Sequence, residues 1–346
     1  MQLFSNDLGL DLGTANVLIY AKDQGVVVRE PAIVALDKNT GKVIQVGAAA
    51  RNMLGRTPGN VVAMRPMQEG VISDQEMAVK MIEYHLRRAT AGASIFTQKP
   101  RVIVSVPSGI TEVQERTVIN AVIEAGARRV YLIEEPLAAA LGAGLDLNGP
   151  NGHMVVDIGA GTTDIAVLSM NGVSSSSSIP VAGDAFDEAI ARHIRRTFGV
   201  IIGQATAEDI KIQIGCVISR DENAGMQVKG RDIRNGMPKE IIIHASDVQE
   251  ALQRPARAIV EEVAALLEET TPELAGDIAG NGITLTGGCS QIYGMDRLVQ
   301  ERTGIQCSVA DDPESCVAYG CGRSLAWMNT MNEGPINLAR KRLLKG

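Results

Sequence analysis

Two short segments carry the same residues in the same order. "DLGTA" at 11–15 and "DIGAGTT" at 157–163 each set an Asp at the end of an apolar run, then Gly, then Thr. Glycine lets a chain turn tightly and lets backbone N–H groups come close to a ligand. Successive N–H groups in such a turn form an anion-binding nest, and Thr hydroxyls add donors. A nearby Asp suits magnesium, which keeps several waters while it bridges phosphates. Two loops of this kind facing each other would hold a polyphosphate from both sides, with Asp11 and Asp157 near the metal through water. A Rossmann loop fits poorly, because "GAGTTDIAVL" lacks the third Gly and runs on into strand-type residues. No GxxxxGK[ST] occurs, which argues against a P-loop.

Other patches could complete such a site. "LTGGCSQIYGM" at 285–295 puts Gly287 and Gly288 between a strand and a helix, where backbone can approach a base or ribose. Glu208 and Lys211 in "TAEDIK" are three apart on one helix face, a spacing that by itself favours a surface ion pair of a few tenths of a kcal/mol. Gly183, Asp184 and Asp187 in "VAGDAFDEAI" read most simply as a cap for the next helix. "SGITEVQERTV" at 108–118 offers Thr111 and Gln114 as a capping box, and its periodicity predicts Gln114 and Glu115 on the buried half of the helix. The five cysteines form no CxxC pair and the four histidines form no ligand set, so packed, reduced thiols are expected.

The elements that position these residues repeat. "LGLDLGTANVLIYA" reads as strand, Gly turn, strand; after the break "DLNGPNGH" the plan restarts with "HMVVDIGAGTTDIAVLSMNGV". This implies an internal duplication with similar loops facing each other. Further strands are predicted at "GVVVREPAIVALD", "KVIQVG", "RVIVSVP", "SSSSSIPVAG" and "GITLTG". Helices are predicted at "DQEMAVKMIEYHLRRAT", "AFDEAIARHIRRTF", "TAEDIKIQI" and "SDVQEALQRPARAIVEEVAALLEE", the last kinked or split at Pro255. Mixed hairpins and strand–helix units indicate α/β lobes. A length of 346 residues suits two domains or one bilobed unit. With 45% hydrophobic and 21% charged residues the chain has the material for a sizeable core. A net charge of −7 argues against wholesale nucleic-acid binding. There is neither a basic-then-apolar leader nor an apolar run of the roughly 18–20 residues a membrane span needs, so a cytoplasmic location is expected.

Taken together, "DLGTAN", "EPAIVAL", "NMLGRTPGN", "RPMQEGVI", "VPSGIT", "IEEPLAAALGAGL", "MVVDIGAGTTDIAVLS", "GDAFDEAI", "TAEDIKIQIG" and "ITLTGG" resemble the actin/Hsp70/hexokinase ATPase superfamily. More closely they resemble its bacterial actin branch, the MreB/Mbl family, over about residues 6–325. The resemblance implies an α/β, actin-like bilobed fold of duplicated RNase H-like lobes, with four subdomains and a nucleotide cleft. Lobe I would span 1–142 with a small subdomain at about 32–73. Lobe II would span 143–318 with a small subdomain at about 180–246, and 319–346 would form a helix returning to lobe I and a basic tail. ATP or ADP with Mg2+ is implied, bound by Asp11, Gly13, Thr14, Ala15 and Asn16 in the first phosphate loop. Gly159, Ala160, Gly161 and Thr162 match the second loop, backed by Gly183 and Asp184. Glu208 and Lys211 match the adenosine-side helix, and Gly287, Gly288, Cys289 and Gln291 the adenosine loop.

For catalysis the resemblance points to Asp157, Thr162 and Gln114, the last at a place read as carrying the family's water-positioning Glu. An amide can orient water but cannot act as a base, so slow or impaired hydrolysis is expected. "GAGTTD" departs from the common GGGTTE at Ala160 and Asp164, and Ala160 tolerates fewer backbone conformations than Gly. Implied partners are the protein itself in filaments of paired protofilaments, the inner face of the cytoplasmic membrane, and membrane-spanning cell-wall synthesis proteins, but no nucleic acid. Ile95 and Phe96, with Leu3 and Phe4, are the expected lipid contacts, and the tail "ARKRLLKG" could attract anionic headgroups. A metabolic kinase of the superfamily would need an acceptor pocket with a base, which no segment suggests. An Hsp70-type chaperone would need a substrate domain after the ATPase. A non-hydrolysing filament paralogue is the remaining alternative.

Overall fold

The computed structural model describes residues 7–91, 98–221 and 224–329. Short turns fold the first apolar runs, β1 (Leu8–Leu12), β2 (Asn16–Ala21) and β3 (Gly25–Pro31), into an antiparallel meander. A small sheet follows, with β4 (Val34–Asp37) between β5 (Val43–Val46) and β6 (Val61–Met64), and the short helix α1 (Ala48–Arg51) between the last two in sequence. The two-residue strands β7 (Met67–Gln68) and β8 (Val71–Ile72) make a hairpin whose tip is Glu69–Gly70. Helix α2 (Gln75–Ala89), capped by Asp74, then precedes β9 (Arg101–Val106), α3 (Glu112–Glu124), β10 (Arg129–Glu134) and α4 (Glu135–Ala143). The first sheet has the order β10-β9-β1-β2-β3, in which β9 runs parallel to both its neighbours.

The second half repeats the plan. β11 (His153–Ile158), β12 (Thr163–Ser169) and β13 (Gly172–Ile179) form another antiparallel meander. Helix α5 (Gly183–Phe198), β14 (Val200–Ile201), α6 (Gln204–Ile214), β15 (Gly225–Asp232) and β16 (Pro238–His244) build the second small subdomain. Next come α7 (Ala245–Glu269), α8 (Pro272–Asn281), β17 (Ile283–Thr286), α9 (Met295–Thr303), β18 (Cys307–Val309) and α10 (Cys316–Ser324). The second sheet, β13-β12-β11-β17-β18, has the order of the first, so the duplication inferred from the two Asp–Gly–Thr loops is visible in the topology. Pro255 lies inside α7 without splitting its 25 residues. Helix α8 and strands β6, β14, β15, β16 and β18 lie outside the segments that the sequence pattern predicts.

Strand alternation divides the core. Leu8, Leu10, Leu12, Val102 and Val104 face an outer cluster with Met81 and Ile82 of α2 and Val118 and Val122 of α3. In the other lobe Met154, Val156 and Ile158 face a second cluster under α5 and α7. The intervening positions belong to a third cluster, in which Ile103, Tyr131 and Ile133 meet Val155, Ala166 and Leu168 through α4 and α10. Successive side chains on a strand point to opposite faces. Asp11, between Leu10 and Leu12, and Asp157, between Val156 and Ile158, therefore sit on the faces turned toward the opposite lobe. Helices α4 and α10 cross backbone to backbone: a Cβ on Gly142 would collide with the Cys316 carbonyl, and one on Gly320 with the Ala138 carbonyl. All five cysteines are free and buried. No helix among the described residues is long and apolar enough to cross a membrane.

Candidate functional site

A cavity of about 330 Å³ opens between the lobes where β1 and β11 end. Asp11 and Asp157 line its floor; Ser105 Oγ donates to Asp11 Oδ1 at 3.3 Å and Thr286 Oγ1 to Asp157 Oδ1 at 2.8 Å. Burial pushes both carboxyls up to about 7, reinforced by the Asp157 charge at Asp11 and the Asp164 charge at Asp157. Glu135, at the start of α4 and 8% exposed, also lines the floor. Its carboxyl is raised well above the usual range by burial first and then by Asp164, Asp11 and Asp157. Asp164, opposite Asp157 in the β11–β12 register, accepts a 3.0 Å bond from Ser108 N and is likewise raised by burial.

Two loops form the sides. Gly13, Thr14, Ala15 and Asn16 come from the β1–β2 turn, and Gly159, Ala160, Gly161 and Thr162 from the β11–β12 turn. Thr14 Oγ1 accepts from Gly70 N at 2.9 Å, which leaves its own proton to donate. The loops nearly touch: a Cβ on Gly161 would lie 2.9 Å from Glu69 Cα and 2.5 Å from Thr14 Oγ1, so only glycine fits between them. Gly159 N closes the second turn onto Thr162 O at 3.0 Å. The first N–H groups of α5 take the carbonyls of that loop, Gly183 N to Gly159 O at 3.2 Å and Asp184 N to Ala160 O at 2.8 Å. The N–H groups of Ala160, Gly161 and Thr162 lie outside these bonds, which suits an anion. Ala160 is not among the residues of positive φ, so its departure from Gly leaves the loop shape intact.

The far wall combines α6 with the loop after β17. Glu208, Lys211, Gly287, Gly288, Cys289 and Gln291 all line it, and Ile212, 69% exposed, offers an apolar edge. Glu208 and Lys211 make separate partnerships in place of the surface pair that their spacing favours. Lys211 Nζ lies 2.9 Å from Asp187 Oδ1 and donates to Gly183 O at 3.1 Å, while Glu208 Oε2 accepts from Arg51 at 2.7 Å. Burial raises Asp187 to about 6 against the opposing pull of Lys211, and raises the Cys289 thiol to about 11, so that sulfur is no nucleophile. Gly183 and Asp184 stand behind the second loop and not on the cavity surface; Asp184 pairs with Arg65 at 2.7 Å. Neither carboxylate at the start of α5 caps the helix.

The structure corrects the expectation for Gln114. The residue does not line the cavity. Its Oε1 accepts from Thr111 N at 3.0 Å and from Thr111 Oγ1 at 2.8 Å, the capping box, and Thr111 Oγ1 accepts from Gln114 N at 3.3 Å. Only Glu115 of the two is buried. The reason is local: an amide at the third helical position is drawn back to the cap, away from the cleft. Neither Gln114 nor Glu115 lines the cavity, whereas Glu135 lies on its floor beside Asp11 and Asp157. Sequence reasoning missed Glu135 although a signal was present, an acidic pair ahead of Pro136 between a buried strand and an all-apolar helix. It also missed Glu314, which lines the cavity and accepts from Asn16 Nδ2 at 2.9 Å, and the partners Arg51 and Arg65. Leu3, Phe4, Ile95 and Phe96 lie outside the described residues.

Among the described residues no three His, Cys, Asp or Glu side chains form a metal cage. The floor fits a hydrated divalent cation instead: crowded carboxylates whose mutual repulsion and burial call for positive charge, beside loops suited to phosphate.

Comparisons agree with this geometry. The MreB/Mbl protein family model matches residues 5–333. The chain is 48% identical over 327 residues to the cell shape-determining protein MreB of Escherichia coli (strain K12), covering 93% of this chain and 94% of that one. It is 44% identical over 329 residues to the cell shape-determining protein Mbl of Bacillus subtilis (strain 168), covering 95% and 98%. Among solved structures, MreB5 of Spiroplasma citri bound to ADP superposes with a TM-score of 0.88 at 38% identity, over 94% of this chain and 97% of that one. The MamK double helical filament shares the fold, with a TM-score of 0.74 at 21% identity over 92% and 98%. The duplicated sheets, the facing Asp–Gly–Thr loops and these similarities together show that the chain belongs to the MreB/Mbl family of actin-like cell shape-determining proteins.

Proposed function

We propose that the cleft binds ATP with Mg2+ and hydrolyses it, and that the protein polymerises into filaments. The observation that carries this reading is the pair of facing loops, Gly13–Asn16 and Gly159–Thr162, over a floor of buried carboxylates. The loop N–H groups and the Thr14 hydroxyl would receive phosphate oxygens. Glu208 and Lys211, the latter held by Asp187, would serve the ribose side, and Ile212 with Gly287–Cys289 the base. Asp11 and Asp157 would hold magnesium through water, and the ion would supply charge neutralisation for the phosphates. Glu135 takes the water-orienting place expected of Gln114, and it could also accept the water's proton once a bound cation offsets the neighbouring carboxylates that raise it. MreB5 of Spiroplasma citri, 38% identical, was solved with ADP and, at 37% identity, with AMPPNP, which supports the choice of an adenine nucleotide.

Family membership supports filaments of paired protofilaments, association with the inner face of the cytoplasmic membrane, and partnership with membrane-spanning cell-wall synthesis proteins. Ile95, Phe96, Leu3 and Phe4 remain the candidate lipid contacts, and a filament would multiply weak contacts by avidity. The test is to measure MgATP binding and phosphate release together with pelleting on anionic liposomes. Phosphate release that survives Glu135→Ala undiminished sinks the catalytic assignment. Absence of any nucleotide binding by the intact chain sinks the whole reading.

A further inference from the structure

The lobes meet differently at the two ends of the cleft. The base is apolar, with α4 and α10 between the sheets. The mouth is ionic: Arg51 at the end of α1 reaches Glu208 of α6 at 2.7 Å, and Arg65, between β6 and β7, reaches Asp184 at the start of α5 at 2.7 Å. Both arginines come from the small subdomain of lobe I, and both acids from that of lobe II. We propose that these two cross-cleft ion pairs govern how fast the cleft opens to exchange nucleotide, with Arg51 and Arg65 as positioning residues for the nucleotide-binding wall. The proposal rests on the nucleotide reading above.

Further contacts back these pairs. The first N–H of α1, that of Ala48, donates to Glu30 Oε2 at 2.9 Å, and Glu30 Oε1 accepts from Arg88 of α2 at 2.6 Å, so Arg51 stands on an element tied to its lobe. On the far side Glu208 lines the cavity itself. Asp184 does not, but its own N–H holds the Ala160 carbonyl of the second phosphate loop. Asp184 thus links a charge on lobe I to that loop. Opening the cleft must break both ion pairs, which releases Glu208 on the α6 wall and Asp184 at the α5–loop junction. The pairs are partly shielded from water: side-chain exposure is 16% for Arg65 and 19% for Glu208, against 35% for Asp184 and 39% for Arg51. Pairs placed so are screened less than open surface pairs and still respond to salt.

The experiment follows release of a fluorescent ATP analogue from the full chain on chasing with excess ATP and Mg2+. Arg51→Gln and Arg65→Gln should each speed release about three- to tenfold, and the double variant more than either. Added NaCl should accelerate release from the parent and leave the double variant nearly unchanged, an effect that general loosening of the fold would not produce. Each pair is a single N···O contact, so Arg51→Lys and Arg65→Lys, which keep the charge, should restore slow release even if a glutamine variant folds poorly. Release from the double variant at the parent's rate overturns the proposal, as does faster release that keeps the parent's salt dependence. If the parent binds no nucleotide, the functional reading fails and this inference fails with it. If the parent binds and the variants exchange normally, only the inference fails.

Discussion

Asp157→Asn tests the electrostatics of the cleft floor. The substitution removes a charge while keeping an Oδ1 to accept the Thr286 hydroxyl, 2.8 Å away. The Asp157 carboxyl, 6% exposed, is raised from 3.8 to about 7 by burial first and by the Asp164 charge next. An acid whose folded pKa exceeds its unfolded value destabilises the fold. The penalty is absent below pH 3.8, grows between 3.8 and about 7, and is complete above that. About three pH units at 1.36 kcal/mol each give a ceiling of about 4 kcal/mol, and imperfect burial of the new amide lowers the expected gain to about 2–4 kcal/mol. At about 2 °C per kcal/mol for a chain of this size, the nucleotide-free variant in EDTA should melt about 4–8 °C above the parent at pH 8. The gain should fall to about half near pH 5.5. Differential scanning calorimetry at both pH values reads this directly, with isothermal titration checking that Mg2+-dependent nucleotide affinity falls. A variant that melts at or below the parent's temperature at pH 8 would refute the buried-charge reasoning.

Glu135→Gln should slow single-turnover phosphate release by about 10²–10⁴-fold while nucleotide still binds, because it removes a proton acceptor and keeps the shape; an unchanged rate counts against Glu135 as the base. Gln114→Ala should leave phosphate release at the parent's rate and cost about 0.5–1 kcal/mol in a urea titration, the loss of one half of a capping box. His85 is fully buried, and burial lowers it from 6.5 to about 4. The unfolded chain therefore takes up that proton first, and stability is lost as pH falls from 6.5 through 4, by up to about 3 kcal/mol. His85→Leu should flatten that part of the stability–pH curve; an identical slope would show that other groups produce it.

Much of the site was legible because local rules place it. The Asp–Gly–Thr pattern marks a strand end and a turn, and strand alternation alone turns Asp11 and Asp157 toward the opposite lobe. The repeat of that pattern anticipated two sheets of one order. Glu208 and Lys211 were found by their type and their family segment, but their partners were not. Arg51 is 157 residues from Glu208 and Arg65 is 119 from Asp184, and neither separation leaves a periodic trace. Gln114 was assigned its role by the family resemblance, and periodicity put it on the buried half of the helix. Helical periodicity predicts which side of a helix faces inward, but a cap residue answers first to the free N–H groups beside it. Glu135 shows the opposite case: an acid in an apolar neighbourhood is a strong signal, and it was available in "LIEEPLAAALG".

The crossing of α4 and α10 has a mechanical consequence. Where glycine faces carbonyl on both helices the two backbones touch directly, so at those two points a small turn of one lobe about the other requires no rotamer to change, while Arg323 of α10 bonds the Leu141 carbonyl of α4 nearby. Such a joint is a narrow pivot, close to the axis about which the lobes would turn. At the far rim the ion pairs act on the longest lever arm, so a few charged groups there weigh heavily against rotation. A chain built this way can have its opening tuned by single surface charges while the joint that carries the motion stays the same.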